Sequence, residues 1–241
     1  MSYLKTRVAA GVAALLPLVF VIGGCAIAET NKSKGADYTS MTPQQLAEYL
    51  IFDANGFVLD APTQEGGVSK DRMVQDEIQK ACSASMGAAP DGETLTKVIG
   101  LAQKSIVYPE GGIKLGDWKK GDEVARSGYG FRIGHRVDDH GDSQDDAHAK
   151  GKEPGGNCYA CHEMDPKEIA YGTLGPSLKG YGKMRGTSEP VLKYTYDMIY
   201  NGNAYFPCTR MPRFGNNGVL TQEQISDVMA YLLDPESPVN Q

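Results

Sequence analysis

The chain has 241 residues with 24 basic and 30 acidic side chains, a formal net charge of −6. An excess of acid repels phosphate backbones, which excludes a nucleic-acid binder. With 41% apolar residues the chain can build a packed core, and its length allows one large domain or a smaller domain with an extension.

Residues 1–28 read as an export signal: Lys5 and Arg7 precede an apolar run from Val8 to Ile22, interrupted by Pro17 and followed by small residues. Two cleavage patterns compete there. "AIA" at 26–28 suits ordinary signal peptidase, and "IGGC" at 22–25 resembles a lipobox that would lipidate Cys25. Loss of residues 1–28 removes two positive charges and no acid, taking the net charge from −6 to −8. The expectation is a periplasmic protein, released or lipid-anchored through Cys25.

Residues 29–110 predict a helical N-terminal extension. "TPQQLAEYLIF" carries Thr42 as cap and Pro43 at the first helical position, with Leu46, Leu50 and Ile51 on one face. "NGFVLDAPTQEGG" is a loop, dense in turn formers. "SKDRMVQDEIQKACS" places Val74, Ile78, Ala81 and Cys82 at helical spacing behind a Ser69 cap, so Cys82 is expected on the buried side. "DGETLTKVIGLAQKSI" repeats the pattern with Leu95, Val98, Ile99, Ala102 and Ile106.

A second unit is expected over residues 111–241. "GDWKKGDEVARSGYGFRIG" predicts a helix with Trp118, Val124 and Phe131 available for packing, ended by Gly128 and Gly130. A polar insertion follows near 135–155. His135, His140 and His148 lie in it among Asp138, Asp139, Asp142, Asp145 and Asp146, which invites a metal-site reading. Nothing in the stretch holds those groups in one geometry, so it is read as a solvated surface loop.

"CYACH" at 158–162 is the C-x-x-C-H pattern of covalent haem attachment. Two thiols separated by two residues can each add to one haem vinyl group, and the histidine that follows is placed beneath the iron. Cys158 and Cys161 are therefore the attachment residues and His162 the proximal ligand. A zinc site needs a second Cys/His pair at similar spacing, and a redox dithiol belongs beside a βαβ pattern; neither is present. One motif predicts one covalently bound haem c.

The distal ligand must come from elsewhere, and a methionine thioether, which favours ferrous iron, is the common choice for an electron carrier. "SEPVLKYTYDMIY" predicts a helix with Val191, Tyr194 or Thr195, and Met198 on one side; "TQEQISDVMAYLLD" predicts a last helix, capped by Thr221 and stopped by Pro235, with Ile225, Val228, Met229, Leu232 and Leu233 inward. Met198 and Met229 then belong to helical core stripes, and Met164 is too close to His162 to cross to the opposite face of a ring. Met184 and Met211 lie in loops. Met211, just ahead of Pro212 and between the last two helices, can close over the far side, and it is the favoured ligand.

Cys208 is a chemical rival, since thiolate binds ferric iron. Cysteine arithmetic opposes it. Of five cysteines, Cys25 leaves with the signal or carries lipid and two hold haem, so Cys82 would stand alone in an oxidising compartment. Pairing Cys82 with Cys208 uses both, and closing so long a loop stabilises a fold by about 2–5 kcal/mol.

"YGTLGPSLKGYG" at 171–182 resembles the segment that passes beside the proximal histidine in class I cytochromes c. That resemblance implies that the Pro176 carbonyl accepts the histidine Nδ1 hydrogen. More widely, "SIVYPEGG", "GDWKKGDEVARSGYG", "GGNCYACHEM", "YGTLGPSLKGYGK" and "MPRFGNNGVLTQEQISDVMAYLLDPESPVN" are similar to the SoxX family, over most of residues 70–240. SoxX is the monohaem subunit of the sulfur-oxidation complex SoxAX. The resemblance implies an all-α, class I cytochrome c fold with an N-terminal helical extension, and His162 and Met211 as axial ligands. It also implies a SoxA-type cytochrome subunit as partner, a SoxYZ carrier protein whose cysteine receives thiosulfate, and a small periplasmic cytochrome as electron acceptor. The reactive cysteine of that L-cysteine S-thiosulfotransferase belongs to SoxA, so no catalytic residue is expected here. A freestanding c-type electron carrier is the alternative.

Overall fold

The computed structural model describes residues 36–63, 66–84, 87–130 and 154–241. Cys25 and the histidines of the polar insertion lie outside the described residues. The chain divides into two compact units, Met1–Ala47 and Glu48–Gln241. In the first, Asp37 caps a short turn, Tyr38–Ser40, by accepting the Thr39 N–H. Helix α1 (Pro43–Glu48) starts where Thr42 and Gln45 exchange backbone-to-side-chain hydrogen bonds, the expected cap.

The second unit is helical, and among its described residues there is no strand, only an isolated bridge between Pro62 and Val68. Its helices are α2 (Glu77–Ser83), α3 (Gly92–Ser105), α4 (Trp118–Arg126), α5 (Tyr181–Arg185), α6 (Glu189–Asn201) and α7 (Gln222–Leu233). None of the described helices is long and apolar enough to cross a membrane.

Two expected helices need correction. The one expected to start at Ser69 does not: Ser69–Arg72 is a short 3₁₀ turn, and α2 begins behind Asp76. Asp76 accepts the Gln79 N–H at 2.9 Å and Gln79 accepts the Asp76 N–H at 3.0 Å, a reciprocal cap that satisfies two helix-end donors where a serine alone would serve one. Val74 consequently lies outside the helix and is exposed, whereas Ile78 is buried and Cys82 half-buried. In α6 the buried residues include Thr195, Tyr196, Ile199 and Tyr200, while Val191, Tyr194 and Met198 are half-buried. Both sides of α6 are apolar, so periodicity alone does not rank them.

The main core gathers α4, α5, α6 and α7 around Met164, Tyr196, Ile225, Met229, Tyr231 and Leu233. Its tightest point is the α4–α7 crossing, where a Cβ on Gly121 would stand 2.0 Å from the Asp227 carbonyl oxygen, so only glycine lets the two backbones meet. The buried Asp227 carboxylate accepts the Asp117 N–H at 2.7 Å, tying the start of α4 to the same place. At the far end, buried Asn240 accepts the Gly182 N–H at 2.9 Å and donates to the Leu232 carbonyl at 3.0 Å, so one side chain joins the start of α5 to the end of α7.

A smaller core holds Ile78, Val98, Ala102 and Ala204, with Cys82, Leu101, Ile106 and Cys208 packed against it. It seats the α2–α3 pair on the segment that leaves α6. Cys82 and Cys208 form a disulfide with Cα atoms 5.4 Å apart across a sequence separation of 126. Asn201 donates to Ser105 Oγ at 2.9 Å and Tyr196 to the Val107 carbonyl at 2.8 Å, which ties α3 and its exit to α6.

Candidate haem site

The CYACH stretch is a tight turn, Cys158–Ala160 being 3₁₀, with the Cys161 and His162 N–H groups both donating to the Cys158 carbonyl at 3.1 and 2.9 Å. This holds Cys158, Cys161 and His162 on one turn. Tyr159, between the cysteines, is buried and anchors the turn. Its hydroxyl lies 2.6 Å from that of Tyr231 in α7, accepts the Asp165 N–H at 3.2 Å, and is approached by Arg126 Nη2 at 3.3 Å. The Arg126 guanidinium also stacks over the Tyr159 ring at 4.6 Å and pairs with Asp122, Asp165 and Glu168. With Tyr159 turned into the core, Cys158, Cys161 and His162 remain half-buried. Burial pushes the Cys158 thiol up to about 12, so in the haem-free chain it is protonated at neutral pH.

Burial likewise pushes Tyr159 and Tyr231 above the ordinary value of 10, and for Tyr231 the hydrogen bond that its hydroxyl donates to Tyr159 adds to it. A raised folded-state pKa means that only the unfolded chain ionises just above pH 10. Stability is therefore full below that value and falls as pH rises past it, approaching about 1.4 kcal/mol per pH unit for Tyr231, whose shift is the larger. Denaturant unfolding across this range should show that alkaline limb in the wild type and a shallower one in Tyr231→Phe; equal slopes would dismiss the coupling.

The segment 172–178 runs beside the turn. Gly172 N–H donates to the Tyr159 carbonyl at 2.8 Å, Gly175 N–H to the Cys161 carbonyl at 2.8 Å, and Leu178 N–H to the Glu163 carbonyl at 2.7 Å. These bonds press Gly175 against the imidazole: a Cβ there would stand 2.2 Å from His162 Cε1 and 2.5 Å from Nδ1. His162 Nδ1 is 2.7 Å from the Pro176 carbonyl oxygen. A carbonyl only accepts, so Nδ1 carries the hydrogen and Nε2 is left as a lone-pair donor.

The methionines separate by environment. Met164 and Met229 are buried in the main core, Met184 is exposed in α5 rather than in the expected loop, and Met198 and Met211 are half-buried. The last two flank one point: a Cβ on Gly202 would lie 3.4 Å from Met198 Cε and 3.8 Å from Met211 Sδ. Cys208, engaged in the disulfide, is not a free thiolate. Its backbone has φ = 61° and its N–H donates to Asn203 Oδ1 at 2.8 Å. The donor set fits a haem: two neighbouring thiols, an imidazole with Nδ1 engaged and Nε2 available, and a half-buried thioether on a separate loop. Among the described residues no cluster of three or more His, Cys, Asp or Glu side chains offers a metal site of another kind.

Sequence reasoning missed the Tyr159–Tyr231–Arg126 assembly and an ion pair between Asp76 and Arg213. The Asp76-x-x-Gln79 cap carried a readable signal. The others join positions far apart in the chain and carried none.

A helical fold with a C-x-x-C-H turn whose histidine leans on a proline carbonyl defines a c-type cytochrome domain, and residues 148–234 match the cytochrome c family profile. The chain is also 44% identical, over 168 residues, to an uncharacterized lipoprotein of Aquifex aeolicus (strain VF5), covering 69% of this chain and 73% of that one. It belongs to the same family as that protein and carries a cytochrome c domain. Cytochrome c domains hold covalently bound haem c, transfer electrons and typically work outside the cytoplasm.

Proposed function

We propose that this protein is the haem-bearing electron-transfer subunit of a SoxAX-type complex, with one haem c attached through Cys158 and Cys161 and His162 and Met211 as axial ligands. The observation that carries the haem assignment is the His162 Nδ1 contact with the Pro176 carbonyl at 2.7 Å. It holds the ring in the tautomer and orientation that iron ligation requires. The bound haem supplies one-electron redox chemistry. The chain supplies its tether, a rigid imidazole and a neutral thioether, which raises the potential.

The sulfur-oxidation reading is supported by the SoxX-like segments from "SIVYPEGG" to "DPESPVN". In the reaction of such a complex a carrier cysteine and thiosulfate are coupled oxidatively: R–SH + S₂O₃²⁻ → R–S–S–SO₃⁻ + H⁺ + 2e⁻. The S–S bond forms between thiosulfate and the SoxYZ-type carrier's cysteine, at the partner subunit. The two electrons leave one at a time, and this chain passes them to a small periplasmic cytochrome. Of the two signal readings, the lipoprotein relative favours "IGGC", with Cys25 acylated and the domain held at the membrane surface.

The holoprotein should co-elute with a SoxA-type cytochrome, and thiosulfate-dependent reduction of its haem should require that subunit and the carrier together. Failure to form the heterodimer, with reduction by unrelated donors intact, would leave a freestanding carrier instead.

A further inference from the structure

We propose that α2 is a clasp that holds the Met211 loop over the haem, and that Arg213 is a positioning residue acting through Asp76. The inference rests on the reading of Met211 as distal ligand.

The loop is fastened to α2 on both sides of the methionine. Three residues before Met211, Cys208 is bonded to Cys82 in the last turn of α2. Two residues after it, Arg213 Nη1 lies 2.5 Å from Asp76 Oδ2 at the other end of the same helix. The Asp76 carboxylate is shared: Oδ1 caps α2 through the Gln79 N–H while Oδ2 holds the guanidinium. Six residues of helix separate Asp76 from Cys82, a rise of about 9 Å. The five-residue step from Cys208 to Arg213 could stretch to roughly 17 Å. The loop is therefore an arch springing from the two ends of α2, with Met211 in its span.

Restraint at Arg213 passes efficiently to Met211 because Pro212 lies between them. Proline fixes its own φ and bars its predecessor from helical backbone, so few soft torsions separate the anchor from the thioether. The pair is also asymmetric. The Arg213 side chain is 7% exposed and that of Asp76 44%. Removing the carboxylate strands a buried cation, whereas removing the guanidinium leaves an acid that water can solvate. In a clasp this order carries over to the loop, which loosens more when Asp76 is removed than when Arg213 is.

The test is imidazole binding to the ferric holoprotein with the disulfide intact, since imidazole reaches the iron only when the thioether lets go. Apparent affinity then reports the fraction of loop released. Asp76→Ser keeps a capping oxygen but removes the charge, and should tighten imidazole binding about tenfold, with faster amide exchange over residues 208–215. Arg213→Met should show a smaller gain and Arg213→Lys nearly none. Ile225→Val, which weakens the main core from α7, should lower global stability and leave imidazole affinity unchanged. Wild-type affinity in both Asp76→Ser and Arg213→Met, or an equal gain in Ile225→Val, overturns the clasp while leaving the ligand assignment standing. Met211→Ala separates the two ideas: if it keeps the red-end absorption of Fe–Met bonding, the ligand reading fails and the clasp goes with it.

Discussion

Gly175→Ala is expected to prevent assembly of a native low-spin haem site. The added Cβ would lie 2.2, 2.5 and 2.7 Å from three atoms of the His162 ring, far inside van der Waals contact. Two reliefs are available, and both break something. If the ring turns away, the Nδ1 bond to Pro176 is lost, and with it the tautomer control that leaves Nε2 for iron. If segment 172–178 backs off, its bonds to the Tyr159, Cys161 and Glu163 carbonyls go. Overpacking costs about 1–3 kcal/mol and each lost hydrogen bond about 1 kcal/mol more. For a chain of this size that is a fall in Tm of roughly 5–15 °C. Haem stain on a denaturing gel, the low-spin spectrum and thermal unfolding read it out. Gly100→Ala is the control: it lies within α3 with nothing within 4 Å of its Cβ position, and should be neutral or slightly stabilising. If Gly175→Ala matches that control, the close approach of backbone to ring has no consequence.

Met211→Ala and the pair Cys82→Ser/Cys208→Ser should fail in opposite ways. Loss of the thioether removes the red-end absorption of Fe–Met bonding and lowers the reduction potential, because a neutral sulfur ligand favours ferrous iron. Global stability falls modestly, since Met211 is only half-buried against the main core. Loss of the disulfide should leave the ligand band in place at low temperature but reduce folding stability by about 2–5 kcal/mol. Serine at both positions avoids a stray thiol that could itself bind iron. If the double serine variant lost the band while Met211→Ala kept it, the roles assigned to the two sulfurs would be exchanged.

The parts of the site legible in the sequence are those set by short covalent distances. Cys158, Cys161 and His162 are adjacent in the chain, and two intervening residues suffice to hold their turn. The Thr42 and Thr221 caps, the apolar stripe of α7 and the proline that ends it follow from helix geometry, and the structure shows α7 capped by Thr221 with Ile225, Val228, Met229, Leu232 and Leu233 buried. Where local signals conflict, periodicity does not decide. Ser69 carries a capping hydroxyl, but Asp76 with Gln79 satisfies more donors and puts the helix start about two turns later. In α6 two apolar faces compete, and only the arrival of α7 decided that Tyr196, Ile199 and Tyr200 go inward.

The sequence alone determined the class of chemistry, because a c-type attachment turn and the histidine that follows it are local in kind. Tertiary structure alone decided how those groups are held. Arg213 meets Asp76 across 137 positions and Tyr159 meets Tyr231 across 72. Gly175 meets the His162 ring only because three backbone bonds lay one segment on another. Such pairings depend on which surfaces pack once the chain has collapsed. Local propensity, which acts over a few residues, has no information about them.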